Sequence, residues 1–489
     1  MKAKLAARLT ILFTIIILGL LTISCGSSTL SEVPPTETPS KAMEPTPISE
    51  DVNLESDDMQ GVPDRPLSEE GPWWVFSTPD GHYAINADGS GLTQFYNEPI
   101  DYPHLNQIRT APSGGHIAYL TGNDVYNTTL RVYEFPWQTL VIEKPLTSDE
   151  SEPGPDSMPG DPEVEAIRAM LDGPSMAFSP DGRYLAFMGA IDGPTSDLYL
   201  LSLDNNQTTR LTSGPSQGYQ PVWSPDGKYI VHTGASTFGT GAGYAMEGVW
   251  AAAADDSGVV TLYDPSGSGS EVIVGWVDNR TFVVHSWDPS CGPKDLRTFN
   301  IETGKGVVLW PEYFSSVAID PENAVAVVGV RFEDCNSDSQ AGLFRVPADG
   351  DPPLRIVEDR PRQIVWSPEA NLFLASTEYG SIAIAPSGEF IDLDQPQSAD
   401  PLPAVAHDSR DLAWSGDSLW VGPLLGSPDN PPRMIFDEPA YRVTWDPGGN
   451  WVIFFTDSGL YVAQSPDFTP LLVGEGLNNH NGFSGWVNP

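Results

Sequence analysis

Cysteine is almost missing from this chain: three in 489 residues, Cys25, Cys291 and Cys335. That excludes a small disulfide-stapled scaffold and a cysteine-rich metal centre. Positive charge is also scarce. There are 24 Lys and Arg against 66 Asp and Glu, a formal net charge of −42. A chain this acidic does not bind nucleic acid through phosphate neutralisation. The seven histidines, His82, His104, His116, His232, His285, His407 and His480, lie far apart, so no metal-ligand cluster is expected, and no cofactor motif is present. The one long apolar run, Leu9 to Ile23, is short for a membrane span.

What the chain does have is a repeat. Ala177-Phe178-Ser179-Pro180-Asp181-Gly182-Arg183-Tyr184 is matched by Pro221-Val222-Trp223-Ser224-Pro225-Asp226-Gly227-Lys228-Tyr229. Ile364-Val365-Trp366-Ser367-Pro368, Val443-Thr444-Trp445-Asp446-Pro447 and Gly485-Trp486-Val487-Asn488-Pro489 repeat its opening. An apolar strand runs into a tight turn and a second apolar strand leaves it. Pro presets φ, Asp bonds its own backbone, and Gly takes the position with φ > 0. Asp181 and Asp226 are therefore read as turn residues, not catalytic acids. A second turn recurs at Asn86-Ala87-Asp88-Gly89-Ser90-Gly91, at Asp204-Asn205-Asn206-Gln207 and at Glu302-Thr303-Gly304-Lys305. Each unit is thus four short strands. Self-similarity at about 40 to 45 residues built from strands marks a β-propeller.

The two Ser-Pro-Asp-Gly turns at 179–182 and 224–227 and the Asn-Ala-Asp-Gly-Ser turn at 86–90 resemble the TolB-type, WD-like β-propeller repeats of bacterial envelope proteins. The resemblance covers residues 71–489 and implies a non-enzymatic envelope role. First strands fall at 109–112, 176–179, 221–224, 273–277, 316–320, 363–367, 404–408, 442–446 and 483–487, which predicts an all-β ring of eight to nine four-stranded blades. The unit at 404–436 is the weakest and the one expected to drop out. The last first strand has no blade after it, and Pro72-Trp73-Trp74-Val75-Phe76-Ser77 begins a blade with none before it. Pairing the two closes the ring and removes exposed sheet edges.

The front of the chain reads as a leader. Lys2, Lys4 and Arg8 precede the apolar run, so residues 1–24 are expected to be a signal peptide. Leu21-Thr22-Ile23-Ser24-Cys25-Gly26 resembles a bacterial lipobox, with Thr22 where Leu is usual. Cys25 is then the lipidated N-terminus, carrying palmitate-type acyl chains on the extracytoplasmic side of the cell membrane. Cleavage removes three basic residues and takes the net charge from −42 to −45. Residues 26–70 hold seven prolines and eleven carboxylates against Lys41 and Arg65. Such a segment cannot bury enough surface to fold. Residues 25–70 are therefore expected to be a disordered tether, with a mean span of roughly 35–40 Å. Lipid would be the only membrane contact, and the protein is expected to be a monomer.

With Cys25 spent on lipid, Cys291 and Cys335 remain. Both fall between the second and third strands of consecutive blades, so a disulfide between them is expected. Closing that loop stabilises by about 4 kcal/mol in the loop-entropy treatment. Strand parity puts second turns and blade-to-blade links on one face, first and third turns on the other. The long connections 147–174, 233–247, 286–295 and 332–341 all belong to the first of these, the loop face, where binding is expected. One link is expected to contain a helix over 161–172, with Asp161 as cap, Pro162 at the first helical position and an apolar stripe of Val164, Ile167, Met170 and Leu171. Trp287, Asp288, Glu333 and Asp334, beside the predicted disulfide, form the candidate binding group: an aromatic platform with acids, suited to a cationic or sugar ligand.

Two motifs are set aside. Gly214-Pro215-Ser216-Gln217-Gly218 matches a nucleophile elbow but sits in a polar link, without the strand and helix that chemistry needs. Gly239-Thr240-Gly241-Ala242-Gly243 lacks the Lys and helix of a phosphate loop. The first-strand tryptophans, Trp223, Trp276, Trp366, Trp445 and Trp486, read as blade-to-blade packing. The expected function is a lipid-anchored extracytoplasmic propeller that binds an envelope protein or a glycan. The alternative is a glycan-active hydrolase or lyase with paired carboxylates at the channel mouth.

Overall fold

The computed structural model describes residues 65–97, 108–121, 128–136, 139–148, 164, 166, 175–237, 245–255, 257–263, 270–288, 290–330, 341–358, 361–368, 370–377, 380–393, 403–406, 411–424, 430–478 and 483–487. It shows nine four-stranded antiparallel sheets arranged as the blades of one propeller. Blades 2 to 9 are continuous in sequence: 108–145, 176–210, 217–263, 270–313, 316–357, 361–392, 404–436 and 441–475. Blade 1 is composite. Trp73–Thr78, Gly81–Asn86 and Thr93–Tyr96 are joined by Ser484–Val487 from the other end of the chain, in the order 93–96, 81–86, 73–78, 484–487. The closing register pairs Trp73 with Val487, Trp74 with Trp486, Val75 with Gly485 and Phe76 with Ser484. The ring closes as the repeat predicts. The expectation that 404–436 would drop out is corrected: Ala404–Val405, Asp411–Trp414, Leu419–Pro423 and Arg433–Phe436 pair in order as blade 8.

The turns do what their residues dictate. In blade 3 the Ser179 hydroxyl donates to Asp181 at 2.6 Å and accepts the Tyr184 N–H at 3.0 Å, while the Gly182 N–H reaches the Ser179 carbonyl at 2.8 Å. In blade 4 Ser224, Asp226, Gly227 and Tyr229 repeat every one of these bonds. In blades 6 and 9 an Asp stands where Ser stands here. Asp320 accepts the Glu322 and Asn323 N–H groups, and Asp446 accepts those of Gly448, Asn450 and Trp451. The turn reading of the repeat acids holds.

The core is a chain of interblade layers. Alternate residues of one strand face opposite neighbours, as the strand period requires. Trp73 and Val75 pack toward blade 2 with Ile117 and Tyr119, while Trp74 and Phe76 pack toward blade 9 with Ile453 and Phe455. In blade 6, Val325 and Val327 join Phe373 and Ala375 of blade 7, and Ala326 and Val328 join Leu296 and Trp310 of blade 5. Such strands are buried on both sides, so they read as unbroken apolar runs: Val325–Val330 is buried at all six positions.

First strands of neighbouring blades touch one another around the ring, which makes them the innermost strands. Four of the five first-strand tryptophans fasten the joints. The Trp223 indole N–H donates to the Ala177 carbonyl at 2.9 Å, Trp276 to Val222 at 3.4 Å, Trp445 to Ala404 at 3.1 Å, and Trp486 to the Thr444 hydroxyl at 3.3 Å. Each bond reaches back to the innermost strand of the preceding blade.

Two expectations about loops change. Residues 286–295 are not a long loop. Thr281–Asp288 and Gly292–Asn300 leave only three residues between them. Likewise Tyr229–Thr237 and Ala245–Ala253 extend into 233–247. These strands have eight or nine residues where Val325–Val330 and Gly342–Pro347 have six. At about 3.4 Å per residue, blades 4 and 5 carry hairpins that stand roughly 7–10 Å taller on the loop face. Of the predicted helix over 161–172, only Val164 and Ala166 are described. Both are helical, and Ala166 is buried with Leu146, Met188 and Ala190. Within the segment expected as a tether, residues 65–70 lie on the third turn of blade 1. Arg65 pairs with Asp88 at 2.8 Å, Ser68 N–H donates to Asn86 Oδ1 at 2.9 Å, and Asn86 Nδ2 donates to the Pro66 carbonyl at 3.0 Å.

Candidate functional site

The blade 5 hairpin carries the described half of the predicted group. Trp287 stands opposite Pro293 across the hairpin and opposite Ser270 of the innermost strand. It is 45% exposed, unusually open for so large an apolar side chain. Asp288, its neighbour, is already engaged. Its Oδ1 accepts the Ser290 N–H at 2.8 Å, and its Oδ2 accepts the Tyr313 hydroxyl at 3.1 Å and meets Lys294 Nζ at 3.3 Å. Lys294 also sits 5.5 Å from the Tyr313 ring centroid. The Ser290 N–H, then Lys294 and Tyr313, hold the Asp288 carboxyl below the usual carboxylate range. Asp288 thus fastens the hairpin tip, and Trp287 is left as its presenting surface. Cys291 lies in the turn itself. Glu333, Asp334 and Cys335 lie outside the described residues.

The other buried acids are similarly committed. Asp197 is 1% exposed at its side chain and accepts from Thr195, Arg210, Thr212 and the Gly214 N–H. Glu271 is buried and accepts the Ser286 hydroxyl at 2.9 Å. The described carboxyls whose pKa departs from the ordinary value, Asp181, Asp226, Asp255 and Asp288, are all held below it. None of these has the raised pKa of a general acid. Gly214 to Gly218 leads into the strand Gln217–Trp223, not out of one into a helix, so the elbow geometry is not formed. Gly239 to Gly243 and the three histidines His104, His407 and His480 lie outside the described residues. His82 and His232 are deeply buried, and burial lowers their pKa to about 3 and about 4. Among the described residues no group of three or more His, Cys, Asp or Glu is placed to hold a metal.

One set of residues was not singled out in the sequence. Arg109, Arg362 and Arg442 are each the second residue of an innermost strand, Ile108–Thr110, Pro361–Ser367 and Tyr441–Trp445. Their signal was present but faint: Arg442 and Gln220 both stand three residues before a first-strand Trp.

The architecture defines a closed nine-bladed β-propeller, a class that hosts many unrelated activities. No family model matches the chain. An uncharacterised peptidase of Bacillus subtilis, YuxL, is 41% identical over 56 residues, which is 12% of this chain and 8% of that protein. The chain spans well under half the length of the curated relatives it matches. Among solved structures, a eukaryotic initiation factor aligns over 86% of this chain and 99% of its own, with a TM-score of 0.52 and 11% identity. TolB of Acinetobacter baumannii is also a structural neighbour, covering 57% of this chain and 61% of its own at 15% identity and a TM-score of 0.31. At such identities the likeness is one of fold.

Proposed function

We propose that the protein is a lipid-anchored, extracytoplasmic binding module of the cell envelope, and that it engages its protein or glycan partner through the tall hairpins of the loop face. The observation that supports this most is at the tip of the blade 5 hairpin. Trp287 is presented to solvent while Asp288, Lys294 and Tyr313 stiffen the strand ends beneath it. A rigid, exposed aromatic is the usual anchor of a binding surface. The commitment of the buried acids to turns and strand ends favours binding over acid–base catalysis. A bridge between Cys291 and Cys335 is part of the proposal, since it would tie this hairpin to the second turn of blade 6. Lipid on Cys25 would keep so acidic a protein at an anionic membrane that otherwise repels it.

The test is capture from an envelope extract by the full chain, compared with Trp287→Ala. Specific capture lost in the variant supports the reading, and capture that persists unchanged removes the hairpin from it. Hydrolysis or cleavage of a glycan by the purified protein would overturn the module in favour of an enzyme. The anchor is checked separately. Cys25→Ser should move the protein from the membrane to the soluble fraction and abolish acyl labelling. Peptide mapping without reductant should recover Cys291 joined to Cys335.

A further inference from the structure

The innermost strands carry a charge balance opposite to that of the chain. Across all nine their basic residues are Arg109, Arg362 and Arg442 and their acids are Glu271 and Asp320. Both acids are buried: Glu271 is 2% exposed against Ser286, and Asp320 is 0% exposed inside its turn. Arg362 and Arg442 are exposed, and Arg109 is half-buried with one donor on the Ile108 carbonyl at 2.8 Å. In a chain with 66 acids and 24 bases, the solvent-reachable charges on the described innermost strands are therefore all cationic.

Arg362 and Arg442 share a level. Each follows the first residue of a strand that starts from a blade-to-blade link, beside the last residues of the second strand, so both stand at the loop-face mouth of the channel, while Arg109, opposite Ala118, lies deeper toward the first turn. The backbone there is distorted in the same way more than once. The pairing of the innermost strand slips between Pro361 and Gln363, between Tyr441 and Thr444, and between Tyr219 and Val222. Arg362, Arg442 and Gln220 lie in those slips, and Gln220 and Arg442 adopt φ of 56° and 52°. Side chains other than Gly rarely take that conformation, and it costs about 1–2 kcal/mol per residue. Bulges re-aim side chains, and local strain kept inside a regular strand points to use.

We propose that the loop-face mouth of the channel is a binding site for an anionic ligand bearing carboxylate or phosphate groups, held by Arg362 and Arg442, with Gln220 and Gln363 as neutral hydrogen-bonding partners. Guanidinium suits such groups because its planar fork matches both oxyanions. This site is separate from the blade 5 hairpin, and the two readings fail independently.

The experiment is calorimetric titration of the full chain with citrate, inorganic pyrophosphate and an oligouronate, with maltohexaose as the neutral control. Saturable binding of at least one anionic probe is expected, weakening as salt rises. Arg362→Gln with Arg442→Gln should reduce that affinity at least tenfold, and Arg362→Lys with Arg442→Lys should restore part of it. Citrate or pyrophosphate binding alone assigns a free small anion, and oligouronate binding alone assigns an acidic glycan. No saturable anion binding overturns the proposal. So does equal binding of maltohexaose, or full affinity in the doubly neutralised variant once its circular dichroism shows it folded.

Discussion

The indole N–H of Trp445 lies 3.1 Å from the carbonyl of Ala404, which joins the innermost strands of blades 9 and 8. The same bond to a carbonyl made by Trp223 and Trp276, and its counterpart from Trp486 to the Thr444 hydroxyl, show it to be a device of the repeat. Trp445 is also 2% exposed and packs edge-on against Phe468. Trp445→Phe should keep most of the packing and lose the bond, at a cost of about 1 kcal/mol. Trp445→Ala should cost about 3–5 kcal/mol, because a large cavity opens between two blades. Denaturant unfolding of the two variants beside the parent checks the order and the gap.

That bond also shows how much was legible beforehand. Five first strands were readable because Phe178, Trp223, Ile319, Trp366 and Trp445 run straight into Ser-Pro or Asp-Pro, and the turn needs those residues. Blade 8 was hard to read for the opposite reason. Its innermost strand is two residues, Ala404–Val405, and its second is four, Asp411–Trp414, too short to show a period. The blade 5 hairpin was misread as a loop because Asp288, Pro289, Gly292 and Pro293 look like breakers. Pro293 is tolerated because on its outer side it is used only as an acceptor, its carbonyl taking the Phe314 N–H at 3.0 Å. The fourth strand joins at Lys294, so no partner is waiting for the N–H that Pro293 lacks. The channel arginines were not legible, because their meaning depends on nine strands meeting at one axis.

Ring closure gives the second prediction. Without Ser484–Val487, the strand Trp73–Thr78 becomes an open edge whose apolar side chains are otherwise fully buried. Val487 is 0% exposed and packs with Trp73, Val75 and Ile108, so it joins blade 1 to blade 2. Val487→Asp places an unpaired carboxylate there and should open the ring. The expected result is a lowered melting temperature with concentration-dependent aggregation, since an uncovered edge templates pairing with another chain. Thermal melting at two protein concentrations reads both effects. An unchanged melt would mean the closing strand contributes nothing.

The buried histidines set an acid limit. His82 is 1% exposed, donates to or accepts from Ser77 at 3.0 Å, and packs against Tyr96 and Tyr119. Burial lowers its pKa from 6.5 to about 3, and that of His232 from 6.5 to about 4. In the unfolded chain both bind protons below about pH 6.5. In the folded chain they stay neutral until about pH 4 and then 3. The unfolded state therefore holds more protons across that window, and stability falls as pH drops through it, by about 1.4 kcal/mol per pH unit for each histidine. Above pH 7 the two make no pH-dependent difference. His82→Gln should halve their combined slope between pH 6 and pH 5, whatever it does to absolute stability. Urea unfolding at several pH values measures the slope, and an unaltered slope would remove His82 from the account.

Gln220 separates a structural from a functional reason for its backbone. Its φ of 56° lies in the region that favours glycine, within an innermost strand and not at a turn tip. If the fold alone decided the residue, Gly would serve better there. Relief of the left-handed conformation is worth about 1–2 kcal/mol. The extra unfolded-state freedom of Gly takes back about 0.5–1 kcal/mol. Gln220→Gly should therefore raise stability slightly, by about 0.5–1 kcal/mol. It should also weaken any anion held at the channel mouth, because the amide that helps hold the ligand is gone. A more stable protein that binds less well is the signature of strain retained for use. A variant that is more stable and binds equally well would show that Gln220 is placed there by the strand geometry alone.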